Sequence, residues 1–208
     1  MKTFGVIGWF KQILLNTNII SKITLARMRK HWIRGISDEE TEKLVNDIHP
    51  ESLSVLEISG KRWGNIFPFK KYTSYKYPDF NILNIENYQN TYDLIILEHV
   101  LEHIKSPLIA LKNIYKLLNP NGFVLITTPF LVKLHFGPID CTRWTKIGMK
   151  QLVIDAGFDK NYIKVNQWGN KFCIKANLKN WKKFNPIFHS LKNDSNYPAI
   201  IWYLAKKL

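Results

Sequence analysis

The 208-residue sequence contains only two cysteines, Cys141 and Cys173, and no pair with CxxC spacing. Its six histidines also lack the spacing that metal-ligand motifs show along a chain. These absences argue against a disulfide scaffold and against a structural zinc site, so we expect no bound metal. Scarce cysteine is typical of a reducing compartment, and we therefore expect a cytoplasmic protein.

Long apolar runs are missing as well. No stretch reaches the ~20 apolar residues that a membrane-spanning helix needs. The nearest run, residues 4–20, is interrupted by glycine, lysine and glutamine, and no small-residue cleavage site follows it. Neither a membrane span nor a signal peptide is expected. Hydrophobic residues still make up 46% of the chain, which is enough for the core of one domain.

Acidic residues are absent from 1–35, which carry seven lysines and arginines. Residues 160–208 carry ten lysines against the single acid Asp194, whereas residues 36–159 have a net charge of −2. The two ends of the sequence are thus basic and the centre is nearly neutral. This distribution indicates that the ends bind an anionic partner, which could be a membrane surface, nucleic acid or a phosphate-bearing substrate. Solvated lysines without any partner are an equally good interpretation.

Residues 1–35 have apolar side chains at three- and four-residue steps, which predicts a basic amphipathic helical segment. Such a segment could lie on anionic lipid at the inner membrane face. It could equally pack on the domain itself or on a second subunit of a homodimer. Both interpretations remain open.

Alternating strand and helix patterns occupy the rest of the chain. Ser37 and Glu40 form a capping box, which predicts a helix from Ser37 to about Ile48. Helices are also predicted to begin after Ser106 and after Thr145, the second of them ending at Gly157. Strands are predicted at residues 54–60, 72–77, 92–97, 123–128, 162–166 and 171–177, the last two forming a hairpin. The order predicts an α/β fold with a central, mostly parallel sheet and an antiparallel terminal hairpin.

Residues 92–130 read YDLIILEHVLEHIKSPLIALKNIYKLLNPNGFVLITTPF. This succession of strand, Glu-His pair, helix, Asn-Pro-x-Gly turn and strand resembles the second half of class I S-adenosylmethionine (SAM)-dependent methyltransferases, of the type 11 kind. The run LEISG at 56–60 resembles the first-strand motif of the same family. The resemblance covers roughly residues 50–178. It implies a Rossmann-like domain at 36–178, preceded by the helical segment 1–35 and followed by a basic extension at 179–208.

The resemblance implies SAM as the cofactor. Residues in the matching positions would hold it near the carboxyl ends of the strands: Glu57, Ser59, Gly60, Asp79, Asn81, Leu97, Glu98 and His99. An acid at Asp79, or Asn81 in its place, would grip the ribose hydroxyls. Ordinary turn residues and helix-start residues are the alternatives for these positions.

The segment with His135, Pro138, Asp140, Arg143, Trp144 and Thr145 resembles a motif of methyltransferase-like proteins from polysaccharide and sugar-modification clusters. It implies O-methylation of a sugar in a glycan or glycan precursor. His135 would be the general base, and Asp140 with Arg143 would shape the loop or clamp the substrate. A purely structural loop network is the alternative. We interpret Trp144 as a core residue and His103 as structural or exposed.

The chain departs from the family pattern after the first strand. Lys61, Arg62 and Trp63 stand where a second glycine is usual. Only 32 residues, 61–92, separate the first strand from the family's fourth, which is too short for two helices and two strands. We therefore predict that a loop replaces the first helix and that the family's third strand is lost or vestigial.

Two functions remain open on this basis. One is an active methyltransferase acting on a sugar hydroxyl. The other is a catalytically inactive scaffold of the same fold, attached to a membrane or a partner enzyme. Methylation of nucleic acid is disfavoured, because Leu97-Glu98-His99-Val100 stands where DNA amino-methylating enzymes carry an Asn/Asp-Pro-Pro-aromatic motif.

Overall fold

A computed structural model describes residues 30–137 and 139–208. Most of the predicted amphipathic segment and Pro138 lie outside the described residues. Within them, a six-stranded sheet has the order β2-β1-β3-β4-β6-β5. The strands are β1 (Ser54–Ile58), β2 (Lys71–Tyr75), β3 (Tyr92–Glu98), β4 (Leu118–Pro129), β5 (Ile163–Trp168) and β6 (Ile200–Lys206). The first four are parallel, whereas β6 runs antiparallel to both β4 and β5.

Four α-helices accompany the sheet in the described part of the chain: α1 (Arg34–Asn46), α2 (Pro107–Leu117), α3 (Lys146–Asp155) and α4 (Lys171–Asn177). Both faces of the sheet are covered. Ile95 and Leu97 of β3 belong to the core that includes α2 and α3, whereas Leu94 and Ile96 pack with Val45 of α1 on the other face. Burial on both faces explains why β3 is apolar in nearly every position. None of the described helices is long and apolar enough to cross a membrane.

The predicted shortening of the segment between the first strand and the family's fourth strand is confirmed. Residues 59–91 contain β2 and the 3₁₀ turn Trp63–Asn65, but no α-helix and no further strand. The mixed α/β sheet with an antiparallel edge is confirmed as well. So is the start of α3, where the Thr145 hydroxyl accepts a hydrogen bond from the Gly148 amide at 3.1 Å.

The predicted second hairpin strand at 171–177 is wrong. These residues form α4, whose first turn is capped by the Asn170 side chain accepting a bond from the Cys173 amide at 2.8 Å. Cys173 and Asn177 are buried together at a four-residue step, which is a helical spacing. The strand that pairs with β5 is β6, which lies in the predicted 179–208 extension and sits between β4 and β5.

The capping box at Ser37 is also wrong. Helix α1 begins three residues earlier, and the Ser37 hydroxyl donates within the helix to the Arg34 carbonyl oxygen at 3.2 Å. Tertiary contacts fix the earlier start, since Trp32 and Ile33 are buried immediately before it. The end of α1 at Asn46 is close to the prediction.

Candidate functional site

The loop after β1 is organised around the carboxylate of Glu57, which is buried. Its Oε1 accepts a hydrogen bond from the Arg62 amide at 3.0 Å, and its Oε2 accepts one from the Trp63 amide at 2.9 Å. The Tyr72 hydroxyl donates to Oε2 as well, at 2.6 Å, and burial together with this carboxylate raises the pKa of Tyr72. Glu57 therefore fixes the backbone of this loop by hydrogen bonds and does not line the adjoining pocket.

A pocket of about 370 Å³ opens beside this loop. It lies at the carboxyl ends of β1 and β2 and is lined by Ser59, Gly60, Lys61, Ser74, Tyr75, Lys76 and Asp79. The structure thus brings the predicted residues Ser59, Gly60 and Asp79 together. Asn81 is exposed and does not line the pocket. Its Oδ1 accepts a hydrogen bond from the Leu83 amide at 3.0 Å.

The bulky residues that replace the second glycine do not fill this pocket. Trp63 is fully buried in the core on the α1 side of the sheet. Arg62 forms ion pairs with Glu42 and Glu98. Only Lys61 lines the pocket, whose volume is within the usual ~300–1,000 Å³ of small-ligand sites. The pocket is therefore large enough for a ligand of the size of SAM.

Glu98 at the end of β3 holds two arginines. It forms ion pairs with Arg34 of α1 and with Arg62, and it accepts a hydrogen bond from the Trp63 indole at 2.9 Å. Both arginines also contact Asp38, at 3.2 and 3.7 Å. This network fastens α1 to the loop after β1. Leu97, its neighbour in the prediction, is fully buried and lines neither pocket described here.

A second pocket of about 220 Å³ lies at the ends of β3 and β4. Its lining consists of His31, Ile33, Arg34, His99, Pro129, Val132, His135 and Trp181. Residues 30–34 and 181–184, which belong to the two basic segments of the sequence, meet here. The Trp32 amide donates to the Lys182 carbonyl oxygen at 2.8 Å, and the Phe184 amide donates to that of Lys30 at 3.1 Å.

The predicted residues His135, Asp140 and Arg143 form one cluster. Asp140 accepts a bond from the His135 amide at 3.0 Å and a second from Arg143 Nε at 2.9 Å. Hydrogen bonding from Arg143 keeps the pKa of Asp140 below its usual value. Burial lowers the pKa of His135, and Glu102 opposes that shift. The Asp140–Arg143 pair therefore shapes the loop that carries His135, and Trp144 packs in the core as predicted.

Sequence reasoning missed Glu102, in the 3₁₀ turn Leu101–His103. Its side chain is fully buried, and neither carboxylate oxygen has a hydrogen-bond partner among the described residues. Three histidine nitrogens surround its Oε1: His99 Nδ1 at 3.6 Å, His135 Nε2 at 3.7 Å and His103 Nε2 at 3.9 Å. The repeated Glu-His pair in LEHVLEH was the available signal. Only the first pair was assigned to the site.

Trp181 was missed too, because it lies in the predicted extension with no motif around it. The residue is 40% exposed, and its ring stands edge-on to His135, with ring centroids 6.3 Å apart. Lys133 lies over the same ring at 5.3 Å. An exposed aromatic surface therefore forms one wall of the second pocket.

Comparisons with known proteins agree with this architecture. The sequence model of a family described as "Methyltransferase domain" matches residues 30–169. A SAM-dependent methyltransferase from Thermotoga maritima, described as a possible histamine N-methyltransferase, superposes with a TM-score of 0.51 at 15% identity. That match covers 85% of this chain and 98% of the other. No curated protein matches the sequence.

Two further solved structures show how widely the fold is used. The plantazolicin methyltransferase BamL, in complex with S-adenosylhomocysteine (SAH), gives a TM-score of 0.53 at 15% identity over 84% of this chain and 85% of that one. The [4+2]-cyclase SpnF gives 0.51 at 11% identity over 86% and 84%. At these identities the likeness establishes the fold, and the chemistry has to be argued from the site.

Proposed function

Because the chain belongs to the family of methyltransferase domains, within the class I SAM-dependent methyltransferases, we propose that it is an active enzyme that methylates a sugar hydroxyl. The acceptor would be a glycan or glycan precursor. The observation that carries the proposal is the second pocket, which His135 and the partly exposed Trp181 line at the same carboxyl edge of the sheet as the first pocket.

The cofactor of this family is SAM, which supplies a methyl group already activated on a sulfonium. In this chain Ser59 and Gly60 would lie against it with their backbone, and Asp79 would accept hydrogen bonds from its ribose hydroxyls. Lys61 and Lys76 in the same lining suit its carboxylate. These residues would bind and orient the cofactor. Methyl transfer from an already activated donor requires little more than correct positioning.

The acceptor oxygen has to lose its proton as it bonds to the methyl carbon, while the sulfur keeps the electron pair of the broken bond. An uncharged His135 that carries its hydrogen on Nδ1, facing Asp140, can take that proton at Nε2. Glu102, 3.7 Å from Nε2, and Asp140, 3.5 Å from Nδ1, would stabilise the imidazolium that forms. His135 therefore lines the pocket and has a carboxylate near each of its two ring nitrogens.

Trp181 supports a sugar as the acceptor. A flat, partly exposed aromatic ring can pack against the apolar C–H face of a pyranose. Arg34 and the nearby Lys133 would suit a phosphate on a sugar nucleotide or lipid-linked sugar. Arg34, from the basic segment 1–35, would thus have a function at the pocket itself.

The first test is calorimetric titration of the full chain with SAM and SAH, followed by methyl-transfer assays with sugar nucleotides and glycolipids. We expect micromolar cofactor binding that Gly60→Leu abolishes. His135→Gln should reduce kcat by about 10²–10⁴-fold while SAH still binds. Trp181→Ala should raise the acceptor KM, and Trp181→Phe should restore much of the loss.

Phe172→Ala is the matched control, because this exposed aromatic residue lies on α4 and does not line either pocket. No binding of either cofactor form at millimolar concentration would overturn the proposal and favour the inactive scaffold. Cofactor binding with methyl transfer only to non-sugar acceptors would refute the sugar assignment alone.

A further inference from the structure

The carboxylate of Glu102 poses a physical problem as the structure stands. It is fully buried, and among the described residues no donor bonds to either of its oxygens. A buried carboxylate without hydrogen bonds or a paired charge is strongly unfavourable, so native proteins provide a partner for such a group. Three histidine nitrogens lie 3.6, 3.7 and 3.9 Å from its Oε1, which is too far for hydrogen bonds.

The spacing of these groups suits a shared ion better than direct contact. Ligand atoms of Glu102, His103 and His135 all lie within 4.8 Å of one another. Tetrahedral zinc holds nitrogen and oxygen ligands at ~2.0–2.2 Å, which places neighbouring ligand atoms ~3.4 Å apart. The observed separations from Glu102 Oε1, 3.9 Å to His103 and 3.7 Å to His135, need only a small contraction to reach that value.

The other nitrogen of each histidine is already engaged. The Nδ1 of His103 is hydrogen-bonded to the Ile139 carbonyl oxygen, which leaves the lone pair on Nε2, the nitrogen near Glu102. The Nδ1 of His135 faces Asp140 Oδ2 at 3.5 Å, so that its Nε2 is also available. Histidines that bind metals are typically held in this way, with the remote ring nitrogen donating to a backbone carbonyl or a carboxylate.

A competing contact exists at His135. Arg143 Nη2 lies 3.2 Å from the same Nδ1, which would favour the tautomer with the proton on Nε2. In that tautomer Nε2–H would point toward Glu102 but at a distance beyond a good hydrogen bond. A cation between the two would select the tautomer in which Nδ1 donates to Asp140. Arg143 retains its bonds to Asp140 in either case.

We propose that Glu102, His103 and His135 bind a divalent transition-metal ion of the zinc class. Two imidazoles and one carboxylate are a ligand set that suits this class, and three protein ligands leave a coordination position for water or a substrate oxygen. The proposal rests on the proposed function and changes one step of it, because His135 both belongs to the ligand set and lines the pocket that would hold the acceptor. With an ion bound, His135 would be a ligand and not the general base, and the acceptor hydroxyl would lose its proton to solvent after coordination lowers its pKa.

The test uses the full chain without a histidine tag, treated with a chelator and titrated with Zn²⁺ and with Co²⁺ in the absence of SAM and acceptor. We expect one equivalent to bind per chain, with the intense visible absorption of four- or five-coordinate cobalt. Glu102→Gln, His103→Gln and His135→Gln should each weaken binding at least tenfold. His49→Gln is the control, because this histidine is exposed and outside the cluster.

If the variants do not fold, the wild-type protein bound to zinc still tests the proposal. X-ray absorption at the zinc edge should show scattering from two imidazole rings. A spectrum with oxygen ligands only, or zinc binding by His135→Gln with wild-type affinity, would overturn the proposal. Because no step depends on methyl transfer, a chain that binds zinc but transfers no methyl group would retain the metal site and lose only the proposed enzyme activity.

Discussion

The carboxylate of Glu57 lies directly beneath the backbone of Gly60. A Cβ atom added at Gly60 would come within 2.2 Å of Glu57 Oε1, which is already bonded to the Arg62 amide. The glycine is therefore required by the buried acid as well as by the pocket that it lines. This contact is a physical reason for glycine at position 60.

Gly60→Ala should accordingly reduce the free energy of unfolding by about 1–3 kcal/mol, because the inserted methyl group displaces a carboxylate that is fixed by three donors. Urea unfolding measures this loss, and the affinity for SAH should fall in parallel. Gly35→Ala is the control, since a Cβ there meets nothing within 4 Å. It should stabilise α1 by about 0.5–1 kcal/mol, and equal effects of the two substitutions would contradict this account.

The two predicted caps provide a matched comparison. Thr145 accepts a hydrogen bond at the start of α3, whereas Ser106 before α2 makes no capping bond through its side chain. Thr145→Ala should lower the free energy of unfolding by about 0.5–2 kcal/mol, and Ser106→Ala should lower it less. Thermal and urea unfolding of both variants give the ranking. A larger loss at Ser106 would show that the caps are misassigned.

Asp93 makes the stability of the fold depend on pH. Burial alone would raise the pKa of Asp93, but hydrogen bonds from Asn119 and Ser54 outweigh it, and the net pKa is lowered. A depressed pKa in the folded state stabilises the protein above the unfolded-state value of ~3.9 and ceases to do so as pH falls through the folded-state value. Asp93→Asn should therefore cost about 1–3 kcal/mol near neutral pH, and the cost should shrink in acid.

Urea unfolding of wild type and Asp93→Asn at about pH 7 and about pH 3.5 tests this dependence. Asp155→Asn serves as the control, because its carboxylate bonds only to the exposed Gln151 side chain among the contacts described. A pH-independent difference between wild type and Asp93→Asn would contradict the assignment.

The two cysteines should differ sharply in reactivity. Burial raises the pKa of the Cys173 thiol to about 12, whereas Cys141 is exposed. Since the thiolate is the reactive form, a thiol reagent such as Ellman's should modify one group per native chain and two after denaturation. Cys141→Ser should show no reaction until it unfolds. Rapid labelling of native Cys141→Ser would mean that α4 opens readily.

Local patterns predicted much of the fold. The strands β1 and β3 and the starts of α2 and α3 follow from apolar runs, proline and a capping threonine that act within a few residues. The hairpin failed because KFCIKAN is short enough to suit either strand or helix, and because the true partner of β5 lies more than 30 residues away, at Ile200. The apolar pattern of a strand indicates that it is buried, but it does not indicate which strand it pairs with.

The candidate site was predicted unevenly for the same reason. The fold places Ser59, Gly60 and Asp79 around one pocket, and His135, Asp140 and Arg143 in one cluster, as the family resemblance implied. Asn81 and Leu97 lie away from both pockets, and Glu57 and Glu98 hold the loop and its arginines. Whether the placed residues bind cofactor and acceptor is what the titrations proposed above decide.

By itself, the sequence determined the family, the α/β class and the missing helix, because these depend on motifs and on the number of residues available between two strands. Only the tertiary structure decided that Glu102 and His103 lie beside His135 and that Trp181 lines the same pocket as His135. These contacts arise where parallel strands end side by side and where residues 30–32 pair with residues 182–184. Such convergence depends on strand order, which residue spacing along the chain does not encode.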